Sequence, residues 1–307
     1  MDTYINYVKY SCISCGLCKK SCPFLSKYEI TLKDFAERPD LAFSCFECDK
    51  CKDVCPKDLS GKKLSQIFRK EKPAYFLKKK EKENYFFKNI PKTQTHDLLF
   101  LGCNFPAFYP ETSEKLKDIF KSYGQSFSID CCGKPIEYTG YSYDFKKHIN
   151  KDIKKRGVKR VIPVCPHCYE MLDKYADCEV LSIYEWLEEK NLLKKITKKV
   201  NIFLPCPDRY SREIFATIEK YLDTYTDAFK DTNCCGAGGL AKNKEPQIFK
   251  EFTTSINKEE VYTYCATCSS NFYKNNQVHH LLSVFLGLDE ACDPHFFKNA
   301  LKEKLRS

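Results

Sequence analysis

Short apolar runs alternate along the chain with longer segments whose apolar residues recur every three or four positions. Asp97 to Gly102 contains Leu98-Leu99-Phe100-Leu101, a run that reads as a short buried strand. Glu111 to Tyr123 sets Leu116, Ile119 and Phe120 on one helical face and stops at Gly124, a residue suited to the left-handed turn that closes a helix. Ser126 to Asp130 reads as a second strand, Asp144 to Arg156 as a basic helix ended by Gly157, and Val158 to Val164 as a third strand. The order β-α-β-α-β predicts a parallel sheet with right-handed crossovers. About a hundred residues later Val200-Asn201-Ile202-Phe203-Leu204 repeats the opening strand. Apolar amphipathic segments, Val180 to Leu187 and Val278 to Leu288, occupy matching places after each copy.

The first ninety residues follow a different rhythm. Phe24 to Ser44 carries Leu32, Phe35, Ala36, Leu41 and Phe43 at mostly helical spacing, and Asp58-Leu59-Ser60-Gly61 precedes a capped helix over Lys62 to Lys70. Pro73 interrupts that pattern, and Lys78 to Glu83 reads as solvent-exposed. These breaks predict three domains, residues 1–92, 93–197 and 198–307. The fold class is α/β: a helical N-terminal domain followed by two duplicated, Rossmann-like parallel β-α-β domains.

The cysteines sharpen this picture. The chain has 20 of them in 307 residues. A lone Cys103, the pair Cys131-Cys132 before Gly133, and Cys165-Pro166-His167-Cys168 recur as Cys206, Cys234-Cys235 before Gly236, and Cys265-Ala266-Thr267-Cys268. The gap from lone cysteine to pair is 27 residues in both copies. Spacing and residue type repeating together indicate a duplication. The motif cysteines of the first copy fall at or just beyond strand ends, and a parallel sheet brings the carboxyl ends of its strands to one edge, where ligands bind. Gly133 and Gly236 fit a tight turn close to a bulky cofactor.

Residues 12–23 and 45–56 are both complete C-x2-C-x2-C-x3-C-P runs, the pattern that holds cubane [4Fe-4S] clusters with the fourth cysteine reaching the other cluster. One set is then Cys12, Cys15, Cys18 and Cys55, and the other Cys45, Cys48, Cys51 and Cys22. Paired C-x2-C motifs also make zinc sites. Two four-cysteine runs closed by Cys-Pro favour clusters. The helical spacing between the runs resembles the α-helical ferredoxin domain of respiratory iron–sulfur subunits.

A secreted disulfide scaffold would want a signal peptide, and Met1 to Tyr7 has neither a basic nor an apolar leader region. The expected setting is cytoplasmic, with any attachment to the inner face of a membrane made through a partner. No apolar run approaches the length of a spanning helix. The net charge of +10 is concentrated between Lys62 and Lys88, which reads mainly as a solvated linker face and is a candidate docking surface. No nucleic-acid reader motif, dinucleotide glycine fingerprint, phosphate loop or Ser-His-Asp arrangement accompanies it. Among the histidines, His167 reads as a packing residue, His148 as solvated, and His279 and His280 as partly buried structural residues. Cys178 and Cys292 read as ordinary thiols.

Two ferredoxin runs followed by two such five-cysteine units resemble the heterodisulfide-reductase-like iron–sulfur oxidoreductases, the CCG-domain family. The phrases Phe100-Leu101-Gly102-Cys103, Cys131-Cys132-Gly133-Lys134-Pro135, Val164-Cys165-Pro166-His167-Cys168-Tyr169 and Cys234-Cys235-Gly236-Ala237-Gly238-Gly239 are similar to its signatures. The resemblance implies two noncubane [4Fe-4S] clusters facing one another across a pseudo-twofold. One would use Cys103, Cys131, Cys132, Cys165 and Cys168, and the other Cys206, Cys234, Cys235, Cys265 and Cys268. It implies reductive cleavage of a small thiol-derived disulfide between them, with electrons arriving through the ferredoxin domain from a flavoprotein or cytochrome partner. The same family contains electron-conduit subunits of flavin-linked glycolate, lactate and glycerol-3-phosphate dehydrogenases, which is the alternative function.

Overall fold

The structure, a computed structural model, describes residues 3–83, 93–228, 234–256 and 260–306. The expected boundary near residue 92 and the end of the basic run after Glu83 lie outside the described residues. The chain sorts into two compact units assembled from separated stretches. One contains Met1–Lys80, Pro135–Tyr143 and Lys230–Asn257; the other contains Glu81–Lys134, Asp144–Phe229 and Lys258–Ser307.

The first unit is helical. Thr3–Ser11, Leu17–Ser21, Pro23–Lys27, Leu32–Phe35, Lys50–Asp53 and Gly61–Glu71 are its helices up to residue 71. Gly61–Glu71 starts where expected because the Ser60 side chain accepts the Lys63 N–H at 3.0 Å. Its Leu64 and Phe68 are buried with Phe24, Leu25, Leu32 and Phe35 in one core, with Phe35 edge-on to both Phe24 and Phe68. The basic run is therefore not wholly a solvated face: Arg69 in this unit and Lys82 in the other are buried.

The second unit holds two four-stranded parallel sheets. β1 (Asp97–Phe100), β2 (Ser126–Ser128), β3 (Arg160–Pro163) and β4 (Glu179–Val180) lie in the order β2-β1-β3-β4. β5 (Val200–Ile202), β6 (Tyr225–Asp227), β7 (Glu260–Thr263) and β8 (Gln277–His280) lie in the order β6-β5-β7-β8. Every pairing is parallel, for example Leu98 with Ser126 and Val161, and Val261 with Val278. The mixed α/β class, the helical N-terminus and the two parallel repeats agree with the sequence reading. A fourth strand in each repeat was not anticipated. It opens the amphipathic segment after each Cys-x-x-Cys, and in the first repeat a capping box between Ser182 and Glu185 then starts helix Ile183–Glu189.

Leu98, Leu99 and Phe100 are all buried, which is why the central strand reads as one apolar block. Residues from both repeats, among them Leu99, Ile162, Trp186, Ile202, Tyr262 and Phe285, share one hydrophobic core. The amino end of the first sheet is pinned by Asp97, which accepts from Arg160 at 2.6 and 2.9 Å and from the Trp186 indole at 2.8 Å. In both sheets the strand order reverses direction between the first and third strands, so the carboxyl ends there open a crevice.

Candidate metal centres

Both ferredoxin runs fold into the same loop. Ser14 and Gly16 in the first, and Glu47 and Asp49 in the second, occupy matching positions and all have left-handed backbone, with φ of 52°, 76°, 55° and 59°. Three of the four are not glycine, and such residues cost roughly 1–2 kcal/mol each in that region. The loop is held regardless. Cys12, Cys15, Cys18 and Cys55 line one pocket, and Cys22, Cys45, Cys48 and Cys51 line another. The fourth cysteine of each run thus lies in the wall of the other run's pocket. Each pocket brings four thiols, the number a [4Fe-4S] cluster takes. Backbone donors point at the sulfurs: Glu47 N–H to Cys45 Sγ at 3.4 Å and Gly61 N–H to Cys51 Sγ at 3.3 Å. Burial, with Cys48 adding to it, pushes the Cys22 thiol up to about 12, and burial raises Cys45 and Cys51 well above their ordinary value. A thiol so buried becomes a thiolate only when a metal takes the proton's place.

The same unit contains Cys234 and Cys235. The Cys234 thiol is hydrogen-bonded with Cys235 and with Cys48, which together with burial raise it well above the usual range. Gly236 has φ of 77°, its N–H points to Cys234 Sγ at 3.3 Å, and a Cβ there would stand 2.4 Å from the Phe249 ring.

In the second unit six thiols from both repeats form one unbroken chain of sulfur contacts. Cys103 donates to Cys131, Cys131 to Cys132, Cys168 to both Cys132 and Cys165, and Cys265 to Cys165. Hydrogen bonds from Cys131 and Cys168 pull Cys132 down to about 6, and those from Cys168 and Cys265 pull Cys165 well below 9. Cys103 is raised by its bond to Cys131 and by burial, and Cys168 by its bonds to Cys132 and Cys165. The first repeat thus brings its five motif cysteines together, and Cys265 of the second repeat joins them. Cys165 and Cys265 each cap a helix, Pro166–Tyr175 and Ala266–Phe272, so Cys168 and Cys268 ride in first turns. Gly133 repeats the geometry of Gly236, with φ of 88° and its N–H 3.5 Å from Cys131 Sγ. Gly102 matters through size: a Cβ there would lie 3.0 Å from Cys168 Sγ.

Two basic side chains, Lys82 and His167, lie beside these thiols. Burial opposes the charge on Lys82, but Cys103, Cys131 and Glu81 outweigh it and raise its pKa. Lys134 is buried and paired with Glu170 at 2.9 Å. His167, read from sequence as packing, lies with Nε2 3.9 Å from Cys206 Sγ and Nδ1 3.7 Å from Glu170. Burial lowers its pKa, and Cys206 and Glu170 more than offset that, holding it at about 10. Its place inside the Cys165-to-Cys168 motif was the available signal. His280 is fully buried, pushed down to about 3 by burial, and accepts the Leu282 N–H as a helix cap. Cys292 and Cys178 are raised by burial to about 12 and about 11 and belong to neither pocket nor thiol chain. Among the described residues, no helix is long and apolar enough to cross a membrane, and no three His, Cys, Asp or Glu side chains are arranged around a single ion.

A parallel sheet pair carrying paired five-cysteine motifs, joined to a two-run helical ferredoxin segment, defines an iron–sulfur protein of the CCG class. The cysteine-rich CCG domain matches residues 98–173 and 200–273, and a 4Fe-4S dicluster domain matches residues 11–59. The chain belongs to this family: a dicluster ferredoxin domain followed by two CCG domains. It is similar to a subunit of the fumarate reductase (CoM/CoB) of Methanothermobacter marburgensis, with 25% identity over 201 residues, 55% of this chain and 40% of that protein. It is also similar to an uncharacterised iron–sulfur protein of Methanocaldococcus jannaschii, with 30% identity over 204 residues, 52% of this chain and 42% of that protein. The matched region spans about two fifths of the length of either relative.

Proposed function

We propose that the protein is the iron–sulfur redox subunit of a heterodisulfide-reductase-like complex, an oxidoreductase subunit that passes electrons to a small disulfide. In this reading Cys12, Cys15, Cys18 and Cys55 hold one cubane [4Fe-4S] cluster, and Cys22, Cys45, Cys48 and Cys51 the other. Cys103, Cys131, Cys132, Cys165 and Cys168 hold one noncubane cluster, and Cys206, Cys234, Cys235, Cys265 and Cys268 its counterpart. Such clusters supply one-electron transfer and iron positions that can take up sulfur.

The observation that carries the reading is the contact of Cys265 with Cys165, which makes thiols of both CCG motifs neighbours. A disulfide-splitting site needs that proximity, since two sulfurs about one bond apart must be received together. Lys82 and His167 place positive charge beside the thiolates and oppose their mutual repulsion. Cys48 against Cys234 supplies a direct neighbour relation between the dicluster segment and a CCG motif. The likeness to one subunit of a reductase supports a multisubunit assembly; in this reading the donor is a flavoprotein or cytochrome subunit.

Anaerobic iron and sulfide quantitation with EPR, before and after adding disulfides, tests the proposal. About sixteen irons per chain, four per site, and a new paramagnetic signal on adding a disulfide are expected. About eight irons, or full loading with no response to any disulfide, would instead make the protein an electron conduit of a flavin-linked dehydrogenase. Zinc in place of iron would overturn both.

A further inference from the structure

Arg69 and Glu47 take no part in the ligand sets, yet their side chains are 1% and 2% exposed and paired at 2.6 Å. Among the described residues of the first unit, Arg69 is the one buried cation. A buried pair of this kind is costly to assemble and is weak evidence for a purely stabilising role. Its surroundings suggest another purpose. The guanidinium donates through Nε and Nη2 to the Ala42 carbonyl at 3.2 and 2.9 Å, through Nη2 to the Cys45 carbonyl at 2.9 Å, and through Nη1 to the Tyr138 carbonyl at 3.3 Å. Glu47 is itself a residue of the Cys45-to-Cys48 loop, one of the left-handed positions, and its second oxygen accepts from Gln66 at 2.9 Å.

Three distant stretches meet on this pair. A Cβ on Gly140, after the first Cys-Cys-Gly, would stand 2.0 Å from the Arg69 carbonyl oxygen. A Cβ on Gly239, after the second, would stand 2.6 Å from the Cys45 carbonyl oxygen and 2.9 Å from Arg69 Nη2. Neither approach leaves room for any residue but glycine.

We infer that Arg69 is a positioning and charge-compensating residue for the site of Cys22, Cys45, Cys48 and Cys51, making it easier to reduce than the site of Cys12, Cys15, Cys18 and Cys55. This rests on the cluster assignment proposed above. Taking one electron from a low-potential donor adds one negative charge to a site. In a buried, apolar setting that charge is disfavoured unless a fixed cation faces it, and potentials respond to net charge, hydrogen bonding and exposure. Cys45 and Cys51 are buried while Cys15 is exposed, so burial alone would make the Cys45 site the harder to reduce. Arg69 reverses that bias and draws the electron toward the site that touches Cys234.

The test is an EPR-monitored redox titration of the full chain, alongside iron content. Arg69→Gln removes the cation and is expected to lower one of the two ferredoxin-type midpoints by at least a tenfold change in the reduction equilibrium, 59 mV for one electron, leaving the other in place. Glu47→Gln removes the counter-charge and is expected to raise the same midpoint. Arg69→Lys keeps the charge and is expected to retain most of the parent value. Shifts of the same sign in the Gln variants, equal shifts of both midpoints, no shift, or loss of the signal in every variant would overturn the inference. A parent protein without any ferredoxin-type signal would sink the cluster assignment first and this inference with it.

Discussion

The first CCG repeat keeps Cys131 and Cys132 in the same compact unit as its sheet, whereas the second repeat's Cys234 and Cys235 belong to the helical unit, where Cys234 meets Cys48. The amino ends of the sheets differ too. Asp97, Arg160 and Trp186 close the first with a buried network, while Lys198 and Glu260 meet across the second at 3.2 Å on the surface. Duplication supplied two similar sheets, and the packing around them then set the Cys-Cys-Gly pairs in different surroundings. The first repeat gathers all five of its motif thiols into one cluster, which Cys265 joins. In the second, the Cys-Cys-Gly pair has become part of the dicluster domain's surroundings.

The sharpest way to break this comparison is at the thiols. Cys132→Ser removes the thiolate sulfur at the middle of the six-thiol chain; about four irons per chain and at least a hundredfold in disulfide-dependent turnover should be lost, while ferredoxin-type EPR signals persist. The matching Cys235→Ser change should disturb those ferredoxin-type signals as well, because Cys235 is bonded to Cys234 beside Cys48. Equal behaviour of the two variants would remove the asymmetry.

The next effect is on stability. Asp97→Asn should cost about 2 kcal/mol in denaturant unfolding, the scale for losing hydrogen bonds to a buried charged acceptor, with Arg160 keeping its pair to Glu189, whereas Lys198→Ala should cost less than about 1 kcal/mol. Burial would raise the Asp97 pKa, but hydrogen bonds from Arg160, His96 and Trp186 hold it well below the ordinary carboxylate range. A folded-state pKa below the unfolded value of about 4 means this stability is fully present above that pH. It is lost as pH falls through the folded value. The gap between parent and Asp97→Asn should therefore narrow below about pH 4 and stay constant between about pH 5 and 7.

The smallest contrast concerns the matched glycines. Gly133→Ala should cost about 1 kcal/mol for its left-handed backbone. Gly236→Ala should cost about 2–3 kcal/mol, since its Cβ would also press on Phe249 at 2.4 Å and the neighbouring packing must shift. Thermal or denaturant midpoints of the two variants, compared side by side, give the answer.

Much of this molecule could be read without its fold. Leu98 to Leu101 is apolar at every position because a central parallel strand is buried on both faces, and that signature is local. The Cys-x2-Cys-x2-Cys-x3-Cys-Pro runs likewise encode a tight loop in a dozen consecutive residues, with the proline opening helix Pro23–Lys27 directly after Cys22. The fourth strands were hidden because Val180 and Val278 begin segments whose apolar spacing suits helix and strand equally.

What the amino-acid sequence by itself determined was the class of each element, the duplication and the residues able to bind metal, since propensity, periodicity and motif spacing all act over a few neighbours. Tertiary structure alone decided which thiols met beyond the sets that the ferredoxin pattern already grouped. Cys165 meets Cys265, and Cys234 meets Cys48, across separations over which no periodicity reports. It also decided that Arg69, one basic residue in a basic run, is buried on Glu47 while nearby lysines face water. That choice depends on Gly140 and Gly239 bringing two remote loops into the space beside it, and contacts between distant stretches are settled only when the whole chain packs.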